Sequence, residues 1–416
     1  MSGSTTGGGG TDRGDQLSAR ARITYVVVLG TLTALGPFTV DMYLPAFPAI
    51  KNEFHVDAAA VQLTLTGTMV GFAAGQLIVG PLSDKVGRKV PLVVAALVHI
   101  AASIGVALAP TIVWLGALRI LQGFGAASSG VVSMAMIRDL FGGRRLVKML
   151  SRMALVNGLA PVIAPVLGSQ LLAFVDWRGI FWFLACYGVV VTTAVTILIR
   201  ETHSKERRRA IAKPLRERYR AVLTDRTYVG ALIVAGMNFT GLFAYLSTSP
   251  FLFQQVYGMS PQQYGVLFAV NSVGVIVGVQ TSARMMHLGR WQPQWIIAGA
   301  LTAQIVLGAT MFLLDATGVG LWGIAIPLWF FIVATGCNFP SVQYLALANH
   351  AEEAGTAASL LGAVNFGIAG LLSPVIGFLG VGSAMPMAGM MIAAAAAGSA
   401  SLWFIIRPRT VPAMDD

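Results

Sequence analysis

The sequence predicts an all-α membrane protein, with twelve transmembrane helices arranged as two pseudo-symmetric six-helix bundles. Three observations predict it: a composition too apolar for water, apolar runs of bilayer length, and positive charge confined to alternate loops. Of the 416 residues, 56% are hydrophobic and only 11% are charged. An ordinary soluble chain is roughly 25% charged, and so few charges cannot cover the surface of a water-soluble domain. Soluble enzymes, nucleic-acid binders and disordered chains are therefore disfavoured as classes.

About twenty predominantly apolar residues cross a bilayer. Runs of that kind fall at 23–49, 58–81, 90–109, 111–137, 146–174, 180–199, 228–255, 262–284, 292–314, 319–348, 354–380 and 384–406. The long hydrophilic stretch 200–226 separates the first six from the last six. The expected organisation is a flexible tail over 1–22, a first bundle over 23–199, a basic linker over 200–227, a second bundle over 228–407 and a short tail over 408–416. The first twenty residues hold no apolar core, so no cleavable signal peptide is expected. Cys186 and Cys337 sit inside apolar runs without ligand spacing, so neither a disulfide framework nor a metal site is expected.

The formal net charge of +11 has two readings, a binding surface or a record of topology. Position decides between them. Of the 28 Lys and Arg residues, 25 fall in the N-terminal tail, loops 2–3, 4–5 and 8–9, the central linker and the C-terminus. Lys51 and Arg178 lie on the opposite side, and Arg119 lies within span 4. The positive segments all fall on one side, which implies that both termini and the linker are cytoplasmic.

The chain also repeats. Tyr43-Leu44-Pro45 in span 1 matches Tyr245-Leu246-Ser247 in span 7, and Gly71 and Gly75 in span 2 match Gly274 and Gly278 in span 8. Pro165-Val166-Leu167-Gly168 in span 5 matches Pro374-Val375-Ile376-Gly377 in span 11. The offsets lie between 202 and 209 residues. A duplicated six-span unit enclosing a central cavity is a transporter architecture.

An ionisable side chain at bilayer depth costs about 2.5–3.5 kcal/mol on insertion scales, so it persists where it has a partner or a task. Asp41 in span 1 and Arg119 in span 4 are the candidates. Burial and a nearby guanidinium act on a carboxyl in opposite senses, which makes the proton affinity of Asp41 tunable. Arginine does not deprotonate in proteins. Arg119 can therefore hold a carboxylate, bind backbone carbonyls or bias Asp41, but cannot carry the proton. His99 in span 3 reads as a satisfied core histidine. The second half carries neutral polar and aromatic groups instead. Tyr43, Asn157, Asn238, Tyr245, Asn271, Asn338 and Asn365 are the candidates for the cavity wall, with Gln254 and Tyr344 of similar chemistry.

Loop 2–3 reads Gly80-Pro81-Leu82-Ser83-Asp84-Lys85-Val86-Gly87-Arg88-Lys89. It resembles the signature of the major facilitator superfamily, G-x-L-x-D-x-x-G-R-[RK]. The resemblance implies that Gly80, Asp84, Gly87 and Arg88 form a cytoplasmic gate. In the outward-facing state Asp84 would meet the N-terminus of span 11, where an anion is favoured, and Arg138. The stretch Leu118-Arg119-Ile120-Leu121-Gln122-Gly123 is similar to a motif of the drug–proton antiporter branch, which links Arg119 to proton coupling. Span 5 carries Gly158-Leu159-Ala160-Pro161-Val162-Ile163-Ala164-Pro165-Val166-Leu167-Gly168. This segment, and Asp41-Met42-Tyr43-Leu44-Pro45 in span 1, resemble the bicyclomycin-resistance (Bcr/CflA) branch. That likeness makes Gly158, Pro161, Pro165 and Gly168 an antiporter motif packed against span 8, and Asp41 a proton- and substrate-binding group.

The expectation is a monomeric plasma-membrane exporter of amphipathic drugs or antibiotics. Its partners are protons, small molecules and the lipid bilayer, without nucleic acid. It needs no cofactor beyond the proton motive force. The alternative is an importer of a small metabolite, a proton symporter on the same fold, because fold does not fix direction or substrate. An intramembrane enzyme is disfavoured, since no paired carboxylates, HExxH or Ser/His/Asp grouping lies within the spans.

Overall fold

The computed structural model describes residues 18–202, 215–289, 291–350 and 353–411. Most of the expected tail 1–22, the middle of the linker, Arg290 and residues 412–416 lie outside the described residues.

All twelve apolar runs form helices long enough to cross a membrane. In the first half, span 1 is Ala19–Asp41, followed by Ala58–Val86, Lys89–Ala107, Ile112–Leu140, Gly143–Leu171 and Trp177–Leu198. The second half begins with span 7, Arg226–Phe251. It continues with Pro261–His287, Pro293–Ala316, Leu321–Leu347, Ala354–Leu379 and Met385–Ala400. Several starts are set by capping side chains. Asp57 accepts the amide of Ala60, Asp176 accepts those of Arg178 and Gly179, and Ser260 forms a reciprocal box with Gln263.

Spans 1 and 7 depart from plain helices at equivalent places. After Asp41 the chain tightens into a 3₁₀ turn, Leu44–Ala46, and resumes as a short helix, Phe47–Phe54. Pro45 has no N–H to continue the α ladder. Span 7 meets Pro250 and then widens into a π-type turn, Leu252–Val256. Both spans thus run past their expected ends, and their irregular segments lie on the face opposite the termini. We call that face distal, and the one carrying the described chain ends and loops 2–3 and 4–5 terminal.

The packing repeats as the sequence repeats. In the first bundle span 2 packs on span 4, span 3 on spans 4 and 6, and span 1 on spans 4, 5 and 6. In the second, span 8 packs on span 10, span 9 on spans 10 and 12, and span 7 on spans 10, 11 and 12. Adding six to each number converts one pattern into the other. The bundles meet through spans 2 and 11 and through spans 5 and 8.

Close approach inside each bundle depends on absent side chains, as expected where lipid offers helices no hydrophobic incentive to associate. A Cβ on Gly123 would stand 2.2 Å from the carbonyl oxygen of Thr68 in span 2. Its counterpart Gly336 repeats this, at 2.4 Å from the carbonyl oxygen of Val275.

Backbone cannot yield as a side-chain tip can, so Gly123→Ala should destabilise the fold by about 1–3 kcal/mol. Gly158→Ala, where a Cβ meets nothing within 4 Å, should stay within about 0.5 kcal/mol of the parent. Thermal unfolding of the purified protein in detergent compares them, and equal melting temperatures would refute the packing argument.

Candidate transport site

A cavity of about 720 Å³ lies between the bundles, walled by spans 1, 2, 5, 7, 8, 10 and 11. Toward the closed end its polar groups are Asp41, Tyr245 and Asn271. From there it runs toward the terminal face, past Asn157 to Ser151 on span 5 and Gln280 on span 8. The wall is chiefly apolar and aromatic, with Phe72, Phe239, Phe243, Phe268, Phe339 and Phe366 among its members. Asp41 is the one Asp, Glu, Lys, Arg or His among the described lining residues. It is 6% exposed, and its carboxyl has no hydrogen-bond or ion-pair partner among the described residues.

The distal side is closed by contacts that cross between the bundles. Gln62 donates to the carbonyl of Ser247 at 3.1 Å, Gln254 to that of Pro45 at 3.1 Å, and Gln262 to that of Ser169 at 2.9 Å. Lys51 donates to Gln255, and the rings of Phe47 and Phe251 meet at 5.7 Å between centroids. The irregular ends of spans 1 and 7 supply the centre of this seal, the 3₁₀ turn through the carbonyl of Pro45 and the π-type turn through the side chains of Gln254 and Gln255.

Arg119 is fully buried, but it does not touch Asp41. Its Nη1 donates to the carbonyl oxygen of Thr39 at 2.9 Å and to Gln122 Oε1 at 2.6 Å. Its guanidinium lies 4.0 Å from the ring centroid of Tyr43. Gln122 donates to Ser103, Ser103 to the carbonyl of His99, and His99 Nε2 meets Thr39 Oγ1 at 2.8 Å. Thr39 is thus gripped by backbone and side chain from spans 4 and 3. Asp41 follows two residues later, about 200° further round the helix, and so faces the cavity while Thr39 faces the bundle interior. The expected pair at depth is joined through span 1, not by an ion pair. His99 is bonded within the core, as its sequence setting suggests.

The wall candidates divide. Asn157, Tyr245 and Asn271 line the cavity, and Asn271 donates to the Tyr245 hydroxyl at 3.0 Å. Tyr43 does not line it: fully buried, it stacks on Arg119 and meets Thr64 Oγ1 at 2.9 Å. Asn238 and Asn338 are interior as well. Asn238 donates to the carbonyl of Thr335, and its Oδ1 accepts from Gln304 and Asn338. Asn365 is half-buried on span 11 and does not line the cavity, although its neighbour Phe366 does.

Span 5 explains its own prolines. Pro165 cannot donate to the carbonyl four residues back, so the Pro161 oxygen is free, and Ser272 on span 8 donates to it at 3.2 Å. Gly168 serves a different neighbour: a Cβ there would stand 1.9 Å from the carbonyl oxygen of Met42 at the unwinding of span 1. Gly158 lies on the cavity wall.

In loop 2–3, between Gly80 and Gly87, Asp84 turns onto its own loop and pairs with Arg88 at 2.6 Å. Arg88 also holds Asp139 at 2.9 Å and Ser83 at 2.7 Å. Burial by itself would lower the pKa of this guanidinium, but Asp139 and Asp84 more than reverse that and hold it above its ordinary value. The amides of Arg88 and Lys89 donate to Glu201, at the start of the linker. Arg138 is exposed, and no contact of Asp84 with Arg138 or span 11 forms among the described residues. The resemblance places that contact in the outward-facing state, whereas here the cavity extends toward this face. Asp139 and Glu201 escape sequence reading, since each resembles any loop acid.

Two pseudo-symmetric six-helix bundles, a chamber at their interface and a seal on one face define a membrane transporter. The model of the Major Facilitator Superfamily matches residues 29–374, and the chain belongs to that family. It is 34% identical to the uncharacterized MFS-type transporter YdgK of Bacillus subtilis, covering 94% of this chain and 98% of that one. It is 31% identical to a bicyclomycin resistance protein homolog of Haemophilus influenzae, covering 87% and 91%. Among solved structures, the xylose transporter XylE from E. coli in a partially occluded, inward-open conformation superposes with a TM-score of 0.71 at 12% identity, covering 91% and 97%. That last likeness concerns the fold alone.

Two outcomes test this geometry. Arg119→Lys replaces a planar fork by a point charge that cannot both stack on Tyr43 and bridge Thr39 to Gln122. It should lower stability by about 1–3 kcal/mol, read as a drop in melting temperature, and an unchanged melting point would discount the clamp. Phe47→Cys combined with Phe251→Cys, joined by a short bifunctional thiol reagent, should arrest transport until the link is cleaved. Undiminished transport by the cross-linked protein would mean that this contact need not open.

Proposed function

We propose that the protein is a proton-coupled exporter of amphipathic drugs or antibiotics, working by alternating access in the plasma membrane with its terminal face in the cytoplasm. The single observation that carries this reading is Asp41, an unpartnered carboxyl in an otherwise uncharged chamber. A buried carboxylate without a partner is costly, so either a proton or a cationic group of a ligand relieves it. Both cannot occupy it together, and that exclusion is the basis of exchange. An aromatic wall suits compounds recognised by ring contact and shape, and about 720 Å³ lies within the range of drug-sized sites.

In the proposed cycle a compound reaches Asp41 from the cytoplasm, displaces the proton and leaves by the distal face once the seal opens. A proton then enters and resets the chamber. Proton entry supplies about 2.3 kcal/mol per charge per 100 mV, with the pH difference in addition. The one-acid chamber supports a protein that acts as a monomer, each chain holding its own coupling group. The similarity to a bicyclomycin resistance homolog points the same way. The second reading, a proton symporter importing a polar metabolite, asks for a wall rich in hydrogen-bonding groups. The described lining offers few.

The test is efflux of a lipophilic cation such as ethidium from proteoliposomes carrying the full chain. In the parent an imposed pH gradient should drive uphill transport. Asp41→Asn should abolish that response while ligand binding to the detergent-purified protein remains measurable, and Asp41→Glu should keep part of it. Gradient-driven transport by Asp41→Asn at the parental rate would remove Asp41 as the proton carrier. Uptake of a metabolite down the same proton gradient would establish the symporter.

A further inference from the structure

Polar side chains of the second bundle form a line on the closed side of the chamber. Tyr245 on span 7 shares the chamber wall with Asp41. Asn271 on span 8 donates its amide N–H to the Tyr245 hydroxyl at 3.0 Å. Ser249 stands one turn beyond Tyr245 on the same helix, with its hydroxyl beside that phenol. Ser249 Oγ in turn meets the Tyr264 hydroxyl at 2.9 Å. Tyr264 follows closely on Pro261, where span 8 begins at the distal face, so its backbone lies within about 5 Å of that end along the axis. The hydroxyls thus run from the chamber wall to the distal end of span 8, across the level of the seal.

The line is sheathed from solvent and lipid. Tyr245, Ser249, Tyr264 and Asn271 are all buried. Phe268 stacks on Tyr245 and meets Tyr264 edge-on. Packing alone does not demand these hydroxyls, as the internal repeat shows. Tyr43 matches Tyr245, so Phe47 matches Ser249; Gly71 matches Gly274, so Val61 matches Tyr264. The first bundle builds the same positions from apolar side chains.

A hydroxyl accepts one hydrogen bond while it donates another, so a row of hydroxyls can pass a proton along without storing a charge. An amide cannot serve in this way, and Asn271 holds the Tyr245 phenol in place. The Asp41 carboxyl has no hydrogen-bond partner among the described residues, so the line stops short of it in this state. A complete line would leak protons here, because the chamber extends toward the terminal face. The acid is on the first bundle and the line on the second. Relative motion of the bundles can therefore make and break the last link.

We propose that Tyr264, Ser249 and Tyr245 form a proton relay from the distal face to Asp41, completed when the bundles rearrange. A hydrated proton at the distal face protonates the Tyr264 oxygen as the Tyr264 proton passes to Ser249. The Ser249 proton passes to Tyr245, and the Tyr245 proton to the Asp41 carboxylate. Each hydroxyl breaks one O–H bond and forms another, water is left behind, and the lasting change is carboxylate to carboxyl. This relay rests on the reading of Asp41 as the proton site.

The test uses proteoliposomes carrying the full chain, with ethidium as the probe, and compares two rates. One is uphill transport driven by an imposed pH gradient. The other is ethidium exchange at equal pH on both sides, which needs no proton. Tyr264→Phe and Ser249→Ala should each slow driven transport about a hundredfold, the lower end of what a positioned proton-transfer group contributes. Both should keep exchange and ethidium affinity at parental values. Thr248→Val, at the adjacent buried hydroxyl, should leave both rates unchanged. Parental driven transport by Tyr264→Phe and Ser249→Ala would overturn the relay. Equal loss of both rates would assign these hydroxyls to structure and overturn it as well, as would the same selective loss in Thr248→Val. Driven transport that survives in Asp41→Asn removes the proton site itself. An inactive Asp41→Asn beside a fully active Tyr264→Phe removes the relay alone.

Discussion

Span 1 is held by its backbone, and the rest of the site depends on that grip. A helix carrying an acid into an apolar chamber can be fixed without pairing the acid. Arg119 achieves this by binding the carbonyl of Thr39 instead of the carboxyl of Asp41. The 3.6-residue period then does the remaining work, since a residue held against the bundle interior places the one two positions on at the opposite side. A direct Arg119–Asp41 pair would stabilise the charged acid and oppose its reversible protonation. The observed arrangement holds the helix by its backbone and leaves the carboxyl outside the clamp.

The second bundle fixes its equivalent span with neutral groups. Asn238 on span 7, Gln304 on span 9, and Thr335 and Asn338 on span 10 form a buried network in the place where spans 1, 3 and 4 use Thr39, His99, Ser103, Arg119 and Gln122. Duplication preserved the task of tying the first, third and fourth helices of each unit together. It did not preserve the chemistry. Asp41, His99 and Arg119 all sit in the first bundle, so the second offers a largely uncharged face to the chamber.

The parts legible in the sequence are those governed by composition and period. Apolar run length set the spans, Lys and Arg placement set the alternation, and the repeat offset matches two bundles packed in the same order. The cavity wall was only partly legible. Asn157, Asn238 and Asn338 look alike in a sequence, yet helix phase sends the first to the chamber and the other two into a bundle. Phase shifts of one residue decide that, and prolines 37, 45 and 250 disturb phase in the spans that matter. An aromatic cavity is expected from the sequence, but its individual phenylalanines are not legible for a related reason: phenylalanine in an apolar span carries no distinguishing mark until its facing neighbour is known. Phe239 and Phe243, four apart on span 7, were the available signal.

Proline links these levels. In lipid, backbone polar groups must find partners within the protein, so each proline in a span releases a carbonyl that something else must bind. Pro165 releases the carbonyl of Pro161, which binds Ser272 on the facing bundle, and in the 3₁₀ turn of span 1 the carbonyl of Pro45 binds Gln254 on the facing bundle. These carbonyls are thus satisfied across the interface that the proposed alternating access would rearrange. A regular helix satisfies its own backbone and gains nothing polar from the other bundle. A broken one is completed by its neighbour, at a contact weak enough to be exchanged, since one neutral hydrogen bond contributes about 0.5–1.5 kcal/mol. The irregular segments of spans 1, 5 and 7 therefore supply the closed state with cohesion that can be released step by step, whereas a continuous apolar interface would have to part all at once.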